Sequence, residues 1–224
     1  MEKNDKDAMF NDIVLQIVLA LVMALSFLFM NDIPKKLFSK LRFRNRTNIK
    51  AKHHFVQGAQ LLARARSSTS RSHANSLAKQ ALTEAENAIA LDPKDAAAYL
   101  LKSLALDIQG FRASALDSLD VALSPLAAKS LSESERGDAF LKRAELKMRL
   151  GKGTSQRGGA DSVKEDLEEA VRLNPKNSRT FCVLGEWYEG KKMKDEAVKA
   201  YEEAIQLEPE LRVAHDALNR IHMN

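Results

Sequence analysis

The stretch that decides the fold is residues 178–211, SRTFCVLGEWYEGKKMKDEAVKAYEEAIQLEPEL. Its apolar residues recur at three- and four-residue intervals within two segments, the spacing that places side chains on one face of an α-helix. Gly185 and the alanines among them are small enough for two helix axes to approach closely. Pro209 ends the second segment, because proline cannot continue a helix interior. The stretch therefore predicts two amphipathic helices joined by a turn.

This stretch resembles the tetratricopeptide repeat, a family whose unit has about 34 residues. The residues at its eight signature positions are Phe181, Leu184, Gly185, Tyr188, Ala197, Tyr201, Ala204 and Pro209. Related strings recur earlier in the chain, AIALDP at 88–93 and AVRLNP at 170–175, before AIQLEP at 204–209. The resemblance implies an all-α fold, a tetratricopeptide-type solenoid of about four helix-turn-helix repeats with a C-terminal capping helix.

An uncharged segment precedes the repeats: residues 13–30 read IVLQIVLALVMALSFLFM, eighteen residues in all. A helix of that length spans roughly 27 Å, close to the ~30 Å hydrocarbon core of a bilayer. A buried core helix seldom lacks a polar stripe over five turns. A cleaved signal peptide has a basic amino-terminal region, whereas residues 1–12 are acidic. The sequence therefore predicts one retained transmembrane helix before the solenoid.

The net charge of +5 comes from a short segment, because residues 31–74 carry eleven Lys and Arg against one acid. Positive flanks stay on the cytoplasmic side of a membrane, so everything after the span is predicted to be cytosolic. The cations that follow the span are predicted to lie at the membrane surface and attract anionic lipid headgroups. They are Lys35, Lys36, Lys40, Arg42, Arg44 and Arg46. The alternative is a stop-transfer flank with no binding role of its own.

These boundaries give a predicted domain organisation. The parts are a short acidic N-terminus (1–12), the transmembrane helix (13–30), a basic juxtamembrane segment (31–51) and the repeat domain (52–224), with repeats at about 52–94, 96–129, 137–176 and 178–211 and a cap at 212–222. Ala59 is predicted at the small position of the first repeat. The first repeat has extra residues at 64–76, which predict a surface loop or an extended helix hairpin. The third has extra residues at 151–160, which predict a flexible loop.

In tetratricopeptide domains, positions 2, 5, 9 and 12 of a repeat tend to face the partner-binding groove, and the resemblance carries these positions over. The resulting groove residues are Val56, Gln60, Leu100, Leu104, Asp107, Leu141, Glu145, Met148, Arg179, Cys182 and Glu186. Such a surface, apolar in the middle with both charge signs around it, suits an extended or helical peptide with an apolar anchor. A register shift of one residue would instead bury some of the leucines.

Some members of the family bind acidic chaperone tails through lysine, asparagine and arginine at fixed positions. The matching positions here read Val56, Gln60, Leu104, Leu141 and Glu145, which disfavours that role, although Lys142 and Arg143 are adjacent. The sequence has no hydrolase elbow, dinucleotide fingerprint or metal-ligand spacing. The mildly acidic repeat domain also disfavours nucleic acid as a partner. We predict a protein that is not an enzyme and uses no cofactor or metal.

Three functions fit these features. The favoured one is a membrane-anchored, cytosol-facing scaffold or adaptor that binds a protein or peptide in its groove. The first alternative is an import receptor or co-chaperone-like docking protein on an organelle outer membrane, and the second is a structural subunit of a membrane complex. The span fits the endoplasmic reticulum and a mitochondrial or plastid outer membrane about equally well.

Overall fold

The computed structural model describes residues 33–151 and 160–223. Within these ranges the regular structure is entirely helical, with nine α-helices, one 3₁₀ turn and no strand. The α-helices are α1 (Ile33–Ser67), α2 (Arg71–Leu91), α3 (Ala96–Gln109), α4 (Arg112–Ala122), α5 (Glu133–Gly151), α6 (Ala160–Leu173), α7 (Ser178–Gly190), α8 (Lys194–Leu207) and α9 (Arg212–Met223). The all-α prediction is confirmed for the part of the chain that the structure describes.

The chain divides into two compact units, Met1–Ile49 and Lys50–Asn224. In the first, residues 33–49 are helical, and this backbone carries the six cations predicted at the membrane surface. The predicted acidic N-terminus (1–12) and transmembrane helix (13–30) lie outside the described residues. Among the helices that are described, none is both long and apolar enough to cross a membrane.

In the second compact unit, consecutive helices pack in pairs: α3 with α4, α5 with α6 and α7 with α8. The part of α1 after residue 50 packs on α2 through Leu62, Ala81 and Ala85. The last helix, α9, contacts α8. The predicted four helix pairs and terminal capping helix are therefore observed.

The core is shared between neighbouring pairs. One cluster joins α5, α6 and α7 and consists of Leu141, Ala144, Val163, Leu167, Ala170 and Val183. Another joins α7, α8 and α9 and consists of Cys182, Ala197, Tyr201, Ala204, Ala214 and Ala217. Because each pair leaves one apolar face uncovered, stacking the next pair or the capping helix buries it. The alanines allow the close helix approach that the sequence pattern predicts.

The fourth pair is closed by Tyr201 packing on Gly185. A Cβ atom added at Gly185 would lie 2.7 Å from Cε1 and Cζ of the Tyr201 ring. Tyr201 is fully buried, and its hydroxyl donates a 2.7 Å hydrogen bond to Glu189. Burial, together with this hydrogen bond, raises the pKa of Tyr201 far above its usual value. The signature glycine is thus required by the ring that occupies its space.

The segment that follows the second helix pair differs from the family pattern, because Pro125 comes two residues earlier than the pattern places a proline. After α4 the chain makes a 3₁₀ turn, Ala128–Ser130. Ala127 and Leu131 pack there in a cluster with Ala96 and Ala122. The hydroxyl of Ser130 accepts a 2.9 Å hydrogen bond from the backbone N–H of Ala96. Asp95 caps the same helix through the N–H of Ala97, as its position predicts.

The first pair decides between two open alternatives and corrects one expectation. Only residues 68–70 separate α1 from α2, so the insertion at 64–76 forms the extended helix hairpin and not a surface loop. The small position is held by Gly58, one residue before the predicted Ala59. A Cβ at Gly58 would lie 2.7 Å from Cδ2 of Leu101 and 3.1 Å from Cβ of Glu84. Of the insertion at 151–160, residues 152–159 lie outside the described residues.

Candidate functional site

Two adjoining cavities in the second compact unit form a surface that we call the groove. The larger, the middle cavity, measures about 740 Å³ and is lined by Arg66, Leu100, Leu104, Leu119, Glu135, Asp138, Ala139, Leu141, Lys142, Glu145, Asn177 and Arg179. The terminal cavity measures about 590 Å³ and is lined by Lys142, Glu145, Met148, Arg149, Ser178, Arg179, Cys182, Val183, Glu186, Glu208, Leu211 and Val213. Three residues line both cavities, so the groove is continuous.

Helix α5 supplies the central wall of the groove. Its contributing residues follow one another at helical spacing and include Asp138, Leu141, Glu145 and Met148. Ala144, on another face of the helix, is completely buried in the core against α6. The amphipathic pattern of this helix therefore separates a core face from a groove face.

Eight of the eleven predicted groove residues line these cavities: Leu100, Leu104, Leu141, Glu145, Met148, Arg179, Cys182 and Glu186. Val56 and Gln60 are exposed on α1 and line neither cavity. Arg66 is the residue of α1 that lines the middle cavity. Leu141 and Cys182 reach the cavity walls but are each only 5% exposed, so they also belong to the core.

Asp107, the remaining predicted groove residue, lines neither cavity but binds two of the groove cations. Its Oδ2 atom accepts hydrogen bonds from Lys142 at 2.8 Å and from Arg149 at 3.0 Å. Burial alone would raise the pKa of Asp107, but the hydrogen bonds and charges of Lys142 and Arg149 outweigh it and lower the pKa. The carboxylate is therefore ionised at neutral pH and holds both cations in place.

A second ion pair crosses from α5 to α7. The guanidinium of Arg179 donates two hydrogen bonds to Oε1 of Glu145, at 2.7 and 2.9 Å. Lys142 lies 35 residues after Asp107, and Arg179 lies 34 residues after Glu145. Each interaction therefore spans about one repeat, and the two together connect α3, α5 and α7 along the groove. Lys142, Arg149 and Arg179 are therefore each bound to a carboxylate of the protein itself, although the two carboxylates balance only two of the three positive charges.

Several groove carboxylates have neutral hydrogen-bond partners instead. Glu135 accepts from the backbone N–H and the hydroxyl of Ser132 at 2.8 and 2.7 Å. Asp138 accepts from the side-chain amides of Asn174 and Asn177. A 2.7 Å hydrogen bond from the hydroxyl of Ser178 reaches Glu208. Such bonds orient the carboxylates and leave their negative charge uncompensated.

Cys182, the single cysteine of the chain, is not an activated nucleophile. Burial raises the pKa of its thiol to about 11, and the negative charges of Glu186 and Glu208 act in the same direction against Arg179. The thiol is therefore protonated at neutral pH, and the thiolate is the reactive form. Over residues 33–151 and 160–223, no group of His, Cys, Asp and Glu side chains has an arrangement that would hold a metal ion.

The two cations adjacent to the chaperone-clamp positions have separate roles. Lys142 faces the groove and is held by Asp107. Arg143 instead binds Asp166, which is 3% exposed, and Asp120. Lys147 also donates to Asp166, at 2.7 Å. Arg143 lines neither cavity, so it belongs to a charged network that connects α4, α5 and α6.

Sequence reasoning missed several groove residues, above all the basic ones. Lys142 and Arg149 follow Asp138 and Glu145 by four residues each, so extending the α5 stripe by one helical step would have found them. Arg66 enters the middle cavity only because α1 continues through the insertion to Ser67. Val213 comes from the capping helix, to which the repeat pattern assigns no groove position.

Known proteins share parts of this sequence and of this fold. Residues 178–211 match the family model for the tetratricopeptide repeat. The fourth helix pair is therefore the part of the chain whose sequence matches a tetratricopeptide repeat. No curated protein matches this chain.

Solved structures support a tetratricopeptide-like solenoid for the larger part of the chain. A crystal structure of MamA is 25% identical with a TM-score of 0.50, over 59% of this chain and 70% of that chain. MamA from Desulfovibrio magneticus RS-1 is 16% identical with a TM-score of 0.56, over 78% and 94%. The Cut9–Hcn1 hetero-tetramer of the APC/C is 16% identical with a TM-score of 0.56, over 65% and 27%. At 16% identity the likeness concerns the fold alone.

Proposed function

We propose that this protein is a membrane-anchored, cytosol-facing scaffold or adaptor that binds a protein or peptide partner in the groove. The observation that carries the proposal is the continuity of the two cavities, whose walls combine partly buried leucines with the 56% exposed Val213. Tetratricopeptide-like folds bind protein partners, and an apolar groove edged by polar groups suits a docking segment with apolar anchors. The chemistry of the groove therefore supports binding.

The proposed membrane anchor, residues 13–30, is supported by the sequence. Residues 13–30 carry no charge, and the cations between residues 35 and 46 follow within one short segment. Anchoring would raise the effective concentration of the groove for partners at the same membrane. An import receptor on an organelle outer membrane has the same layout, and localisation of the tagged protein to the endoplasmic reticulum alone would exclude it. A structural subunit of a membrane complex would instead co-purify in fixed, salt-resistant stoichiometry.

The groove is tested by making its walls polar without changing its charge. In the double variant Met148→Gln/Val213→Gln, both substitutions lie in the terminal cavity. The matched control, Val121→Gln/Leu126→Gln, alters residues that are 43% and 61% exposed and line neither cavity. We expect proteins cross-linked to the wild type in intact membranes to be lost with the groove variant and retained with the control. Equal retention by both variants would exclude the groove as the binding surface.

Topology is tested on sealed membrane vesicles. Asn45-Arg46-Thr47 is a glycosylation acceptor sequence that the predicted topology leaves in the cytosol, where it stays unmodified. We expect external protease to digest the repeat domain, and glycosidase to leave the mobility of the protein unchanged. Protection from protease, or a glycan on Asn45, would place the repeat domain in a lumen and contradict the proposed orientation.

A further inference from the structure

The turns inside the helix pairs lie side by side along one edge of the second compact unit. Near the end of α3, Ile108 packs against the cluster that contains Ala65 from the end of α1. The end of α5 reaches the same place, since Arg149 donates a 3.0 Å hydrogen bond to Asp107. The ends of α5 and α7 line a further cavity together. We call this the turn edge, and its described turns, counted with one flanking residue on each side, are 67–71, 109–112 and 190–194.

The connections between successive pairs form the opposite edge. They too contact one another: Ser130 accepts a hydrogen bond from the N–H of Ala96, and Ser178 donates one to Glu208. Counted in the same way, these connections are 91–96, 122–133, 173–178 and 207–212. They carry four cations and five acids, so the opposite edge is close to neutral.

The turn edge, in contrast, is positively charged. Its three described turns carry five cations and no acid: Arg71, Arg112, Lys191, Lys192 and Lys194. All five are exposed, and none forms an ion pair with a residue that the structure describes. One residue further into the helices the turns gain Arg66, Glu189 and Asp195, and Glu189 is bound to Arg220. The positive excess therefore does not depend on where the turns are taken to end.

Two exposed apolar side chains lie among these cations. Phe111 is 58% exposed and Met193 is 37% exposed, and each directly precedes the second helix of its pair. This is the N-cap position, which Ser, Thr, Asp and Asn fill best. In the first pair Ser70 occupies it and accepts from the N–H of His73, whereas Phe111 and Met193 make no capping bond. The two residues therefore contribute exposed apolar surface to the turn edge and no cap to the helices.

We propose that the turn edge docks on an anionic bilayer surface, with its cations at the lipid headgroups and with Phe111 and Met193 in the interface. Anionic lipids attract Lys and Arg within a screening length of about 8 Å at physiological salt. Apolar side chains next to such cations enter the boundary between headgroups and acyl chains. None of the five cations lines a groove cavity, so this surface goes beyond the proposed function and leaves the groove open to a partner.

Contact with lipid is measured by photo-crosslinking. Benzoylphenylalanine replaces Phe111 in one full-length protein and Leu126, on the opposite edge, in another, because these residues are 58% and 61% exposed. Each protein is placed in vesicles of phosphatidylcholine alone or with about 30% phosphatidylserine, which makes the surface potential negative. Mass spectrometry after irradiation gives the yield of lipid adduct. In the anionic vesicles we expect about fivefold more adduct at position 111 than at position 126, and no such difference in the neutral ones.

The charge requirement is tested with two matched variants of the position-111 protein. Arg71→Gln/Arg112→Gln/Lys192→Gln/Lys194→Gln removes four cations of the turn edge and keeps Lys191, which lies 5.7 Å from the ring centroid of Trp187. The control Lys94→Gln/Lys129→Gln/Lys176→Gln/Arg212→Gln removes four exposed cations of the opposite edge. Residues 31–51 are the same in both variants, so their own attraction to lipid cancels. We expect about fivefold less adduct in the turn-edge variant and an unchanged yield in the control.

The outcomes separate this inference from the proposed function. Equal adduct at positions 111 and 126, or equal loss in the two variants, overturns the docking of the turn edge on lipid. An adduct of position 111 with a protein or an RNA in native membranes, in place of lipid, overturns it as well. Extraction of the wild type by alkaline carbonate would contradict the anchor, and retained partners in Met148→Gln/Val213→Gln would contradict the groove, and neither result alters the contrast between the two edges.

Discussion

The second and fourth helix pairs solve the same packing problem with different residues. In the fourth pair, Tyr201 packs on Gly185. At the corresponding positions of the second pair the chain has Leu119 and Ser103, both almost completely buried. A smaller residue on the second helix thus accompanies a larger one on the first. In these two pairs the change of size on one helix is thus opposite to that on the other, as expected in a closely packed interior.

The two pairs can also be compared at their turns and at their buried hydroxyl groups. The turn of the second pair has Gly110 with φ 89°, and the turn of the fourth has Lys192 with φ 63° at the equivalent position. Glycine adopts this left-handed conformation freely, whereas lysine is strained in it. In the second pair, however, the buried hydroxyl of Ser103 has no hydrogen-bond partner. The fourth pair likewise buries the hydroxyl of Thr180 without a hydrogen-bond partner, so the two pairs differ in their turns and not in this respect.

The largest effect is expected from removing the side chain at the centre of each pair. Tyr201→Ala should lower the free energy of unfolding by about 3–5 kcal/mol, and Leu119→Ala by about 2–5 kcal/mol. Hydrogen exchange should show faster opening of α7–α9 in the first variant and of α3–α5 in the second, because stability in a solenoid is local. Tyr99→Ala, at a partly exposed residue of α3, is the control. A cost equal to that of Tyr201→Ala would contradict the packing role of Tyr201.

A smaller loss is expected from adding one methyl group at the glycine of the fourth pair. Gly185→Ala forces the tyrosine ring to move and should cost about 1–3 kcal/mol in urea unfolding. Gly190→Ala is the matched control on the same helix, because a Cβ there meets nothing within 4 Å. It should be neutral or stabilise by up to about 1 kcal/mol. If both variants were equally stable, the close contact at Gly185 would not be limiting.

The two turns allow a reciprocal test. Gly110→Ala should lower the free energy of unfolding by about 1–2 kcal/mol, entirely through backbone strain, since a Cβ there meets no atom within 4 Å. Lys192→Gly should raise it by up to about 1 kcal/mol. Lys191→Gly is the control, because the φ of Lys191 is −94° and glycine brings no relief there. Stabilisation by both lysine variants would point to the loss of a charge and not to the turn.

The smallest effect is expected at the unsatisfied hydroxyl of the second pair. Ser103→Ala removes a buried donor without a partner, so the thermal midpoint should stay constant or rise, by an amount equivalent to at most about 1 kcal/mol. Ser118→Ala is the matched control on α4, where the hydroxyl donates a 2.9 Å hydrogen bond to the carbonyl of Ser114. Its removal should cost about 0.5 kcal/mol. A loss at Ser103 as large as that at Ser118 would mean that the Ser103 hydroxyl has a partner after all.

A structural feature can be predicted from this sequence when residues close together in the chain determine it, and less well when the residues that determine it are far apart in the chain. Helix pairs follow from local spacing, and the eight signature residues of 178–211 predict the fourth pair and the close approach of its helices at Gly185. The register of the first pair was wrong by one residue, because Gly58 and Ala59 are both small and only the approach of Leu101 distinguishes them. Local patterns cannot resolve such a choice.

The groove was predictable in part for the same reason. Position rules place Leu100, Leu104 and Met148 on its walls because these residues lie on amphipathic helices of standard register. The ion pairs that determine its charge join residues about one repeat apart, and pairing across that distance depends on how neighbouring helices stack. Composition shows both charge signs near the groove, and only the structure shows which of them are already bound to each other.

The ion pairs across the groove have a mechanical consequence. Bending a helical solenoid changes the spacing between successive helix pairs. Here two interactions, Asp107 with Lys142 and Glu145 with Arg179, link neighbouring helix pairs on one side. Salt weakens such ion pairs, because the screening length falls from about 10 Å at 0.1 M to about 3 Å at 1 M. The alanine-rich core between the helix pairs is apolar and is not screened in this way. Rising ionic strength should therefore make the solenoid easier to bend without unfolding it, and the salt concentration would set the compliance of the groove.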